Sequence, residues 1–234
     1  MASGSSAHSD LSSATRETIR AVRDYTMTSP ERIAAACSAA QYVARNGIEG
    51  SIVECGVWRG GSMMAMLRTL VEERHTAPDV YLYDTFEGMS TPTEIDRAFN
   101  GDSAKELLEK SDKREADSIW CKASLADVAK NVASVGYDPS KIHLIAGKVE
   151  DTIPAAAPET VALLRLDTDW YESTRHELIH LFPRLVRGGV LIVDDYGHWQ
   201  GARKAVDEYF AENSVRILLN RIDYTGRIAV KVFD

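Results

Sequence analysis

Acidic residues close two neighbouring apolar runs of this chain: Leu166-Asp167-Thr168-Asp169 ends one, and Ile192-Val193-Asp194-Asp195 ends the next. If the runs are adjacent parallel strands, their ends share one edge of a sheet, the edge where open α/β folds bind ligands. Carboxylates gathered there repel one another unless a cation neutralises them. Hard oxygen donors, with water completing an octahedron, are what Mg²⁺ takes. Asp167, Asp194 and Asp195 are therefore candidate metal ligands, with Asp169 a fourth acid nearby.

A third run leads into Glu54-Cys55-Gly56-Val57-Trp58-Arg59-Gly60-Gly61-Ser62, a glycine-rich strand-to-helix turn. It departs from the Gly-x-Gly-x-x-Gly pattern of dinucleotide sites because an acid, Glu54, stands at the turn. A carboxylate there repels a pyrophosphate but suits a cofactor carrying an ammonium and a sulfonium, which points to S-adenosylmethionine. In that reading Gly56 and Gly60 let the backbone approach the cofactor, and Ser62 hydrogen-bonds its carboxylate at a helix N-terminus. Asp84, at the end of the following strand, accepts from the ribose hydroxyls. The plainer alternatives are a structural turn at Gly56 and Gly60 and helix caps at the aspartates.

The elements that must position these residues alternate. Helices are expected over residues 30–45, 62–74, 125–135, 172–186 and 200–210, and strands over 51–55, 80–83, 142–146, 161–166 and 190–193. Ser29 before Pro30 is a capping signal, and Gly188-Gly189 reads as a helix stop. Two further strands, 215–219 and 227–233, flank a turn at 223–226. The pattern predicts an α/β fold: a doubly wound, mostly parallel sheet with helices on both faces and an antiparallel C-terminal strand at its edge. Residues 87–120 read as a long polar connection, a possible lid, with helix formers at 104–110. Residues 1–14 read as a disordered tail, 15–50 as an N-terminal helical lid, and 51–234 as the main domain.

With 234 residues, 44% of them hydrophobic, one sizeable core is expected. A formal charge of −8 argues against nucleic acid or an anionic membrane as partner. No apolar run approaches the roughly 20 residues needed to span a bilayer. Three scattered cysteines imply no disulfide framework, which fits a cytoplasmic setting. A small hydroxylated molecule is the expected partner, and a homo-oligomer is left open.

Six stretches in order carry a resemblance to a known family: Thr26 through Arg32, Glu54 through Ser62, Tyr83 through Met89, Gly147 through Thr152, Leu164 through Thr174 and Val193 through Trp199. Together they resemble the macrocin O-methyltransferases, from about Thr15 to the C-terminus. The resemblance implies a Rossmann-like class I fold and Mg²⁺-dependent methyl transfer from S-adenosylmethionine to a hydroxyl of a sugar or phenolic ring on a bacterial natural product. It also implies metal ligation by Asp167, Asp194 and Asp195. Cofactor contacts are implied at Glu54, Gly56, Gly60, Ser62 and Asp84, with Glu150 and Asp151 beside the adenine and Met27 and Thr28 in a lid. The more distant catechol methyltransferases place an ionisable residue three positions after the first metal aspartate, where this chain has Trp170, so analogy does not assign the base.

Two groups are candidate catalytic bases. Asp169 lies two residues beyond Asp167 and can share its side of the strand end. His198 follows Asp195 by three and has a side chain suited to neutral pH. A lone loop histidine is more often structural, so Asp169 is preferred. Trp58, Trp170 and Trp199 flank the motifs as pocket wall or plain packing. Two other classes stay open: a metal-dependent hydrolase, which the absence of a phosphate-cradling loop disfavours, and a cofactor-binding protein without turnover.

Overall fold

The computed structural model describes residues 9–115 and 118–234. Seven strands form one sheet in the order β3-β2-β1-β4-β5-β7-β6. They are β1 (Ser51–Cys55), β2 (Val80–Asp84), β3 (Ile142–Ala146), β4 (Val161–Leu166), β5 (Leu185–Val193), β6 (Asn220–Arg221) and β7 (Arg227–Val230). Strands β1 to β5 run parallel to one another, and β7 runs antiparallel between β5 and β6. The helices are α1 (Ser13–Val22), α2 (Pro30–Asn46), α3 (Gly61–Glu72), α4 (Ala104–Lys110), α5 (Leu125–Ala133), α6 (Val149–Thr152), α7 (Tyr171–Leu181) and α8 (Gln200–Glu212).

Two apolar layers sandwich the sheet. Helices α2, α3 and α5 supply Ile33, Val43, Met63, Met66, Leu67, Val128 and Val132 to one core. Helices α6, α7 and α8 supply Val149, Leu178 and Val206 to the other. Strand alternation sorts residues between them: Ile52, Leu163 and Ile192 join the first layer, and Val53, Leu164 and Val193 the second. By the same period of two, Glu54, Arg165, Asp167 and Asp194 belong to the α2 side of the sheet. Register then sets Glu54 directly beside Arg165.

Most expected elements occur, and the differences have local causes. Helix α7 ends at Leu181, short of the expected residue 186, because Pro183 cannot continue it and a 3₁₀ turn follows. Gly188 and Gly189, read as a helix stop, instead lie inside β5. The β4–β5 register shifts there, from Val161 paired with Leu185 to Leu163 paired with Val190. Residues 215–219 form no ladder, and only Asn220 and Arg221 pair with β7. Val215, Ile217 and Leu219 nevertheless pack on the second core, which is why they alternate like a strand.

The long 87–120 connection is less open than its polarity suggests. Ala98, Ala104 and Leu108 bury against Trp170, Trp199 and Ala202 in a third cluster. Asp96, fully buried, accepts from the backbone N–H of Tyr171 at 2.8 Å and so ties the connection to the start of α7. At the other end of the chain, α1 begins at Ser13, capped by Ser12, within the segment read as a tail. The rest of that expectation, residues 1–8, lies outside the described residues. No helix among the described residues is long and apolar enough to cross a membrane.

Gly56 sits where β1 leaves the sheet, at φ +80°, and a Cβ there would lie 1.9 Å from the Asp167 carbonyl oxygen. Gly47, at φ +60°, has nothing within 4 Å of its Cβ position. Gly47→Ala should therefore cost only the left-handed backbone penalty of about 1–2 kcal/mol. Gly56→Ala adds a clash with main chain and should cost roughly 3 kcal/mol or more. Denaturant unfolding of both variants checks this; equal losses would mean that the approach of β1 to the Asp167 loop does not matter.

Candidate active site

One cavity of about 490 Å³ opens at the carboxyl ends of the strands. It is lined by Met27, Thr28, Gly56, Ser62, Asp84, Glu150, Asp167, Asp169, Asp194, Asp195 and His198. The sequence-predicted metal, cofactor and base residues are thus largely gathered in one place. Glu54, Gly60 and Asp151 do not line it. Gly60 instead caps α3 at φ +89°, and a Cβ on it would touch Val132 of α5 at 3.0 Å. Asp151 is an exposed residue of α6.

The acid triplet is real in space. One carboxylate oxygen from each of Asp167, Asp194 and Asp195 falls within 4.8 Å of the others. Asp167 is positioned by its N–H donating to the Cys55 carbonyl at 2.8 Å, and Asp194 by its N–H donating to the Leu166 carbonyl at 2.9 Å. Thr225 donates its hydroxyl to the Asp194 carbonyl at 2.7 Å. Thr168, inside the acidic turn, is fixed by its hydroxyl donating to buried Glu177 at 2.9 Å. Asp195 is 8% exposed, and no donor among the described residues reaches its Oδ2. Burial, with the neighbouring acids, pushes the Asp167 and Asp195 carboxyls well above the usual carboxylate range. Buried hard oxygens of which one lacks a partner fit a divalent cation.

Sequence reasoning missed the two cations that hold this cluster. Arg165, 2% exposed and next to the last residue of β4, places Nη1 2.7 Å from both Glu54 Oε1 and Asp167 Oδ2. Its Nη2 lies 2.7 Å from Asp194 Oδ1 and donates to the Thr28 hydroxyl at 3.3 Å. Arg32, from the first turn of α2, donates to the other Asp194 oxygen, Oδ2, and through Nε to Asp223 at 3.1 Å. A signal existed: Arg165 is the one charged residue in the apolar run Val161–Leu166, and a buried charge requires partners.

The glycine-turn half of the cavity is organised by Asp84. Its Oδ2 accepts from the N–H groups of Val57 at 2.7 Å and Trp58 at 3.1 Å, and its Oδ1 from Phe86 at 2.7 Å. The carboxylate thus clamps the glycine turn as well as facing the cavity. Glu54 gives one oxygen to Arg165, while its Oε2 is buried with no partner among the described residues. Burial raises its pKa to about 7 against the opposing pull of Arg165. Trp58 Nε1 is likewise buried and unpartnered. An orphaned acid, an orphaned donor and the free N–H groups of α3 fit a ligand with an ammonium and a carboxylate.

Both candidate bases line the cavity. Asp169 adopts φ +69°, and burial followed by the Asp167 charge pushes its carboxyl up to about 7. Asp195 is among the groups that act on it, and Asp169 in turn raises the Asp195 carboxyl. His198 is half-buried, with Nδ1 3.1 Å from the Tyr224 hydroxyl, and burial and Arg32 lower its pKa. Trp58 and Trp199 line the cavity, whereas Trp170 is core, 2% exposed, with Nε1 donating to the Ser90 carbonyl at 3.1 Å.

Comparison with known proteins agrees with this geometry. Residues 6–230 match the family model described as macrocin-O-methyltransferase (TylF). The chain is 33% identical over 184 residues to the 8-demethyl-8-(2,3-dimethoxy-alpha-L-rhamnosyl)-tetracenomycin-C 4'-O-methyltransferase of Streptomyces olivaceus, covering 79% of this chain and 67% of that protein. It is 31% identical over 202 residues to the demethyldecarbamoylnovobiocin O-methyltransferase of Streptomyces niveus, covering 86% and 74%. Among solved structures, that of the O-methyltransferase NovP superposes with a TM-score of 0.77 at 30% identity, covering 89% of this chain and 83% of that one. Of the three classes the sequence left open, these matches select the methyltransferase: the chain belongs to the macrocin O-methyltransferase family and is an S-adenosylmethionine-dependent O-methyltransferase.

Proposed function

We propose that this chain transfers the methyl group of S-adenosylmethionine to a hydroxyl of a sugar or phenolic ring on a natural product, with Mg²⁺ held by Asp167, Asp194 and Asp195. The observation that carries the reading is a single cavity shared by the glycine turn and the acid triplet, with Asp195 Oδ2 left unpartnered. The natural-product acceptors named for the relatives, one of them rhamnosylated, support an acceptor of this kind.

When bound, the cofactor supplies an electrophilic methyl group and the ion a Lewis acid that acidifies and orients a hydroxyl. The remaining work falls to the chain. Glu54 Oε2 receives the cofactor's ammonium, and the α3 N-terminus at Gly61 and Ser62 receives its carboxylate. Asp84 accepts from the ribose hydroxyls with lone pairs left over from the backbone clamp. Glu150, in the cavity wall, lies on the adenine side, which exposed Asp151 does not reach, and Met27 and Thr28 close over the cofactor as the lid of the N-terminal segment. Asp169 removes the acceptor proton: it faces the cavity beside Asp167 and Asp195 and forms no ion pair among the described residues. His198, tied to Tyr224, serves the acceptor side.

Three outcomes are expected. Asp195→Asn, which disturbs no arginine pair, should lower turnover on the order of a hundredfold while calorimetry shows cofactor affinity nearly unchanged. Turnover that survives thorough chelation would remove the metal from the reaction.

Asp169→Asn should abolish most turnover of labelled methyl with metal and cofactor still bound, whereas His198→Ala should lower it only modestly. A near-normal Asp169→Asn enzyme would overturn the base assignment.

Glu54→Gln should weaken S-adenosylmethionine binding by roughly 1–3 kcal/mol, the scale of a lost charged hydrogen bond at a buried site. Unchanged affinity by calorimetry would place the ammonium elsewhere.

A further inference from the structure

The two arginines of the acid cluster are held differently. Arg165 rises from the sheet itself, is 2% exposed, and is fixed by three carboxylates, Glu54, Asp167 and Asp194. Arg32 comes from α2, is 14% exposed, and reaches the triplet only through Asp194 Oδ2. Its second hold, Nε on Asp223 at 3.1 Å, lies outside the triplet. Asp223 is fixed independently. It accepts from the N–H groups of Thr225 at 2.9 Å and Gly226 at 2.7 Å, and from the Ser29 hydroxyl at 2.7 Å.

Both oxygens of Asp194 are therefore taken, one by each guanidinium, while Asp195 keeps a free one. A cation that draws an oxygen from all three aspartates has to share Asp194 with a like charge or displace one. Arg165 is pinned within the sheet by Glu54 and Asp167 as well. Arg32 keeps its anchor on Asp223 when Asp194 is lost. We infer that Arg32 is an exchangeable counter-cation of the metal site, which neutralises Asp194 before loading and yields it to the incoming divalent ion while staying docked on Asp223. The inference rests on the reading that the triplet takes such an ion.

Arg32 thus protects the cluster from its own repulsion and, from the cavity wall, sets how tightly the ion binds. Removing its charge should tighten metal binding, a change opposite to the one expected from structural damage.

The test is titration of Mn²⁺ into the full chain at fixed ionic strength, following the free-ion signal by electron paramagnetic resonance. Arg32→Gln should bind Mn²⁺ roughly tenfold more tightly than the wild type, the scale of removing one like charge at a few ångströms in a partly screened site. Arg32→Lys, which keeps the charge, should stay near the wild type, and Asp195→Asn should bind weakly. Wild-type binding with Arg32→Gln equal or weaker would overturn the inference, as would an Arg32→Lys variant that tightens as much as Arg32→Gln. Failure of the wild type and of both Arg32 variants to bind Mn²⁺ would overturn the metal reading itself, and the inference with it.

Discussion

The site depends on one guanidinium. Three acids converge on the α2 side of the sheet at its carboxyl edge, and Arg165 contacts all of them from within the strand layer. Breaking a buried ion pair on one side costs about 3–5 kcal/mol, because the orphaned charges stay in a poorly solvating place. Taking these charges out of water offsets most of their attraction, so the arrangement is not an efficient way to stabilise a fold. Its effect is geometric: one planar group holds Glu54 of the glycine turn and Asp167 and Asp194 of the acidic half at fixed separation. Donor and acceptor of a transferred methyl group need that kind of fixed relation, since misplacement by an ångström is costly.

The backbone around the cavity carries the same signature. Trp58, Cys121 and Asp169 all adopt positive φ without being glycine, and all three line the cavity. Such conformations persist only where surrounding contacts enforce them. Here the enforcement is visible: Asp84 clamps the N–H of Trp58, and Glu177 holds Thr168 beside Asp169. The third apolar cluster, formed by the 87–120 connection on Trp170 and Trp199, buttresses the acidic side and takes its place in the wall rather than hanging over it.

Much of this was legible in the sequence because the relevant signals are local. Apolar runs ended by acids located β4 and β5, and Glu54 with its glycines located the turn from β1 into α3. Asp167, Asp194 and Asp195 were found by type and placement alone. What escaped detection depends on partners far apart in the chain. Arg32 and Arg165 look like an ordinary helix residue and an odd strand residue until register and packing bring them to Asp194, 162 and 29 positions away. Asp84 looked like a ribose ligand and also proved to be a turn clamp, since its donors lie 26 and 27 residues earlier. The strand expected at 215–219 failed for the converse reason: alternation reports a buried face, and a face can be buried without a ladder.

The central claim is that the acidic edge holds a divalent ion within the same cavity as the cofactor. Its most direct test is a crystal structure of the chain with S-adenosylhomocysteine and Mn²⁺, the ion located by its anomalous scattering. The account predicts one Mn²⁺ in coordination contact with Asp167, Asp194 and Asp195, and the cofactor's amino acid end against Glu54 and the start of α3. An ion found elsewhere, or none beside a fully bound cofactor, would contradict it.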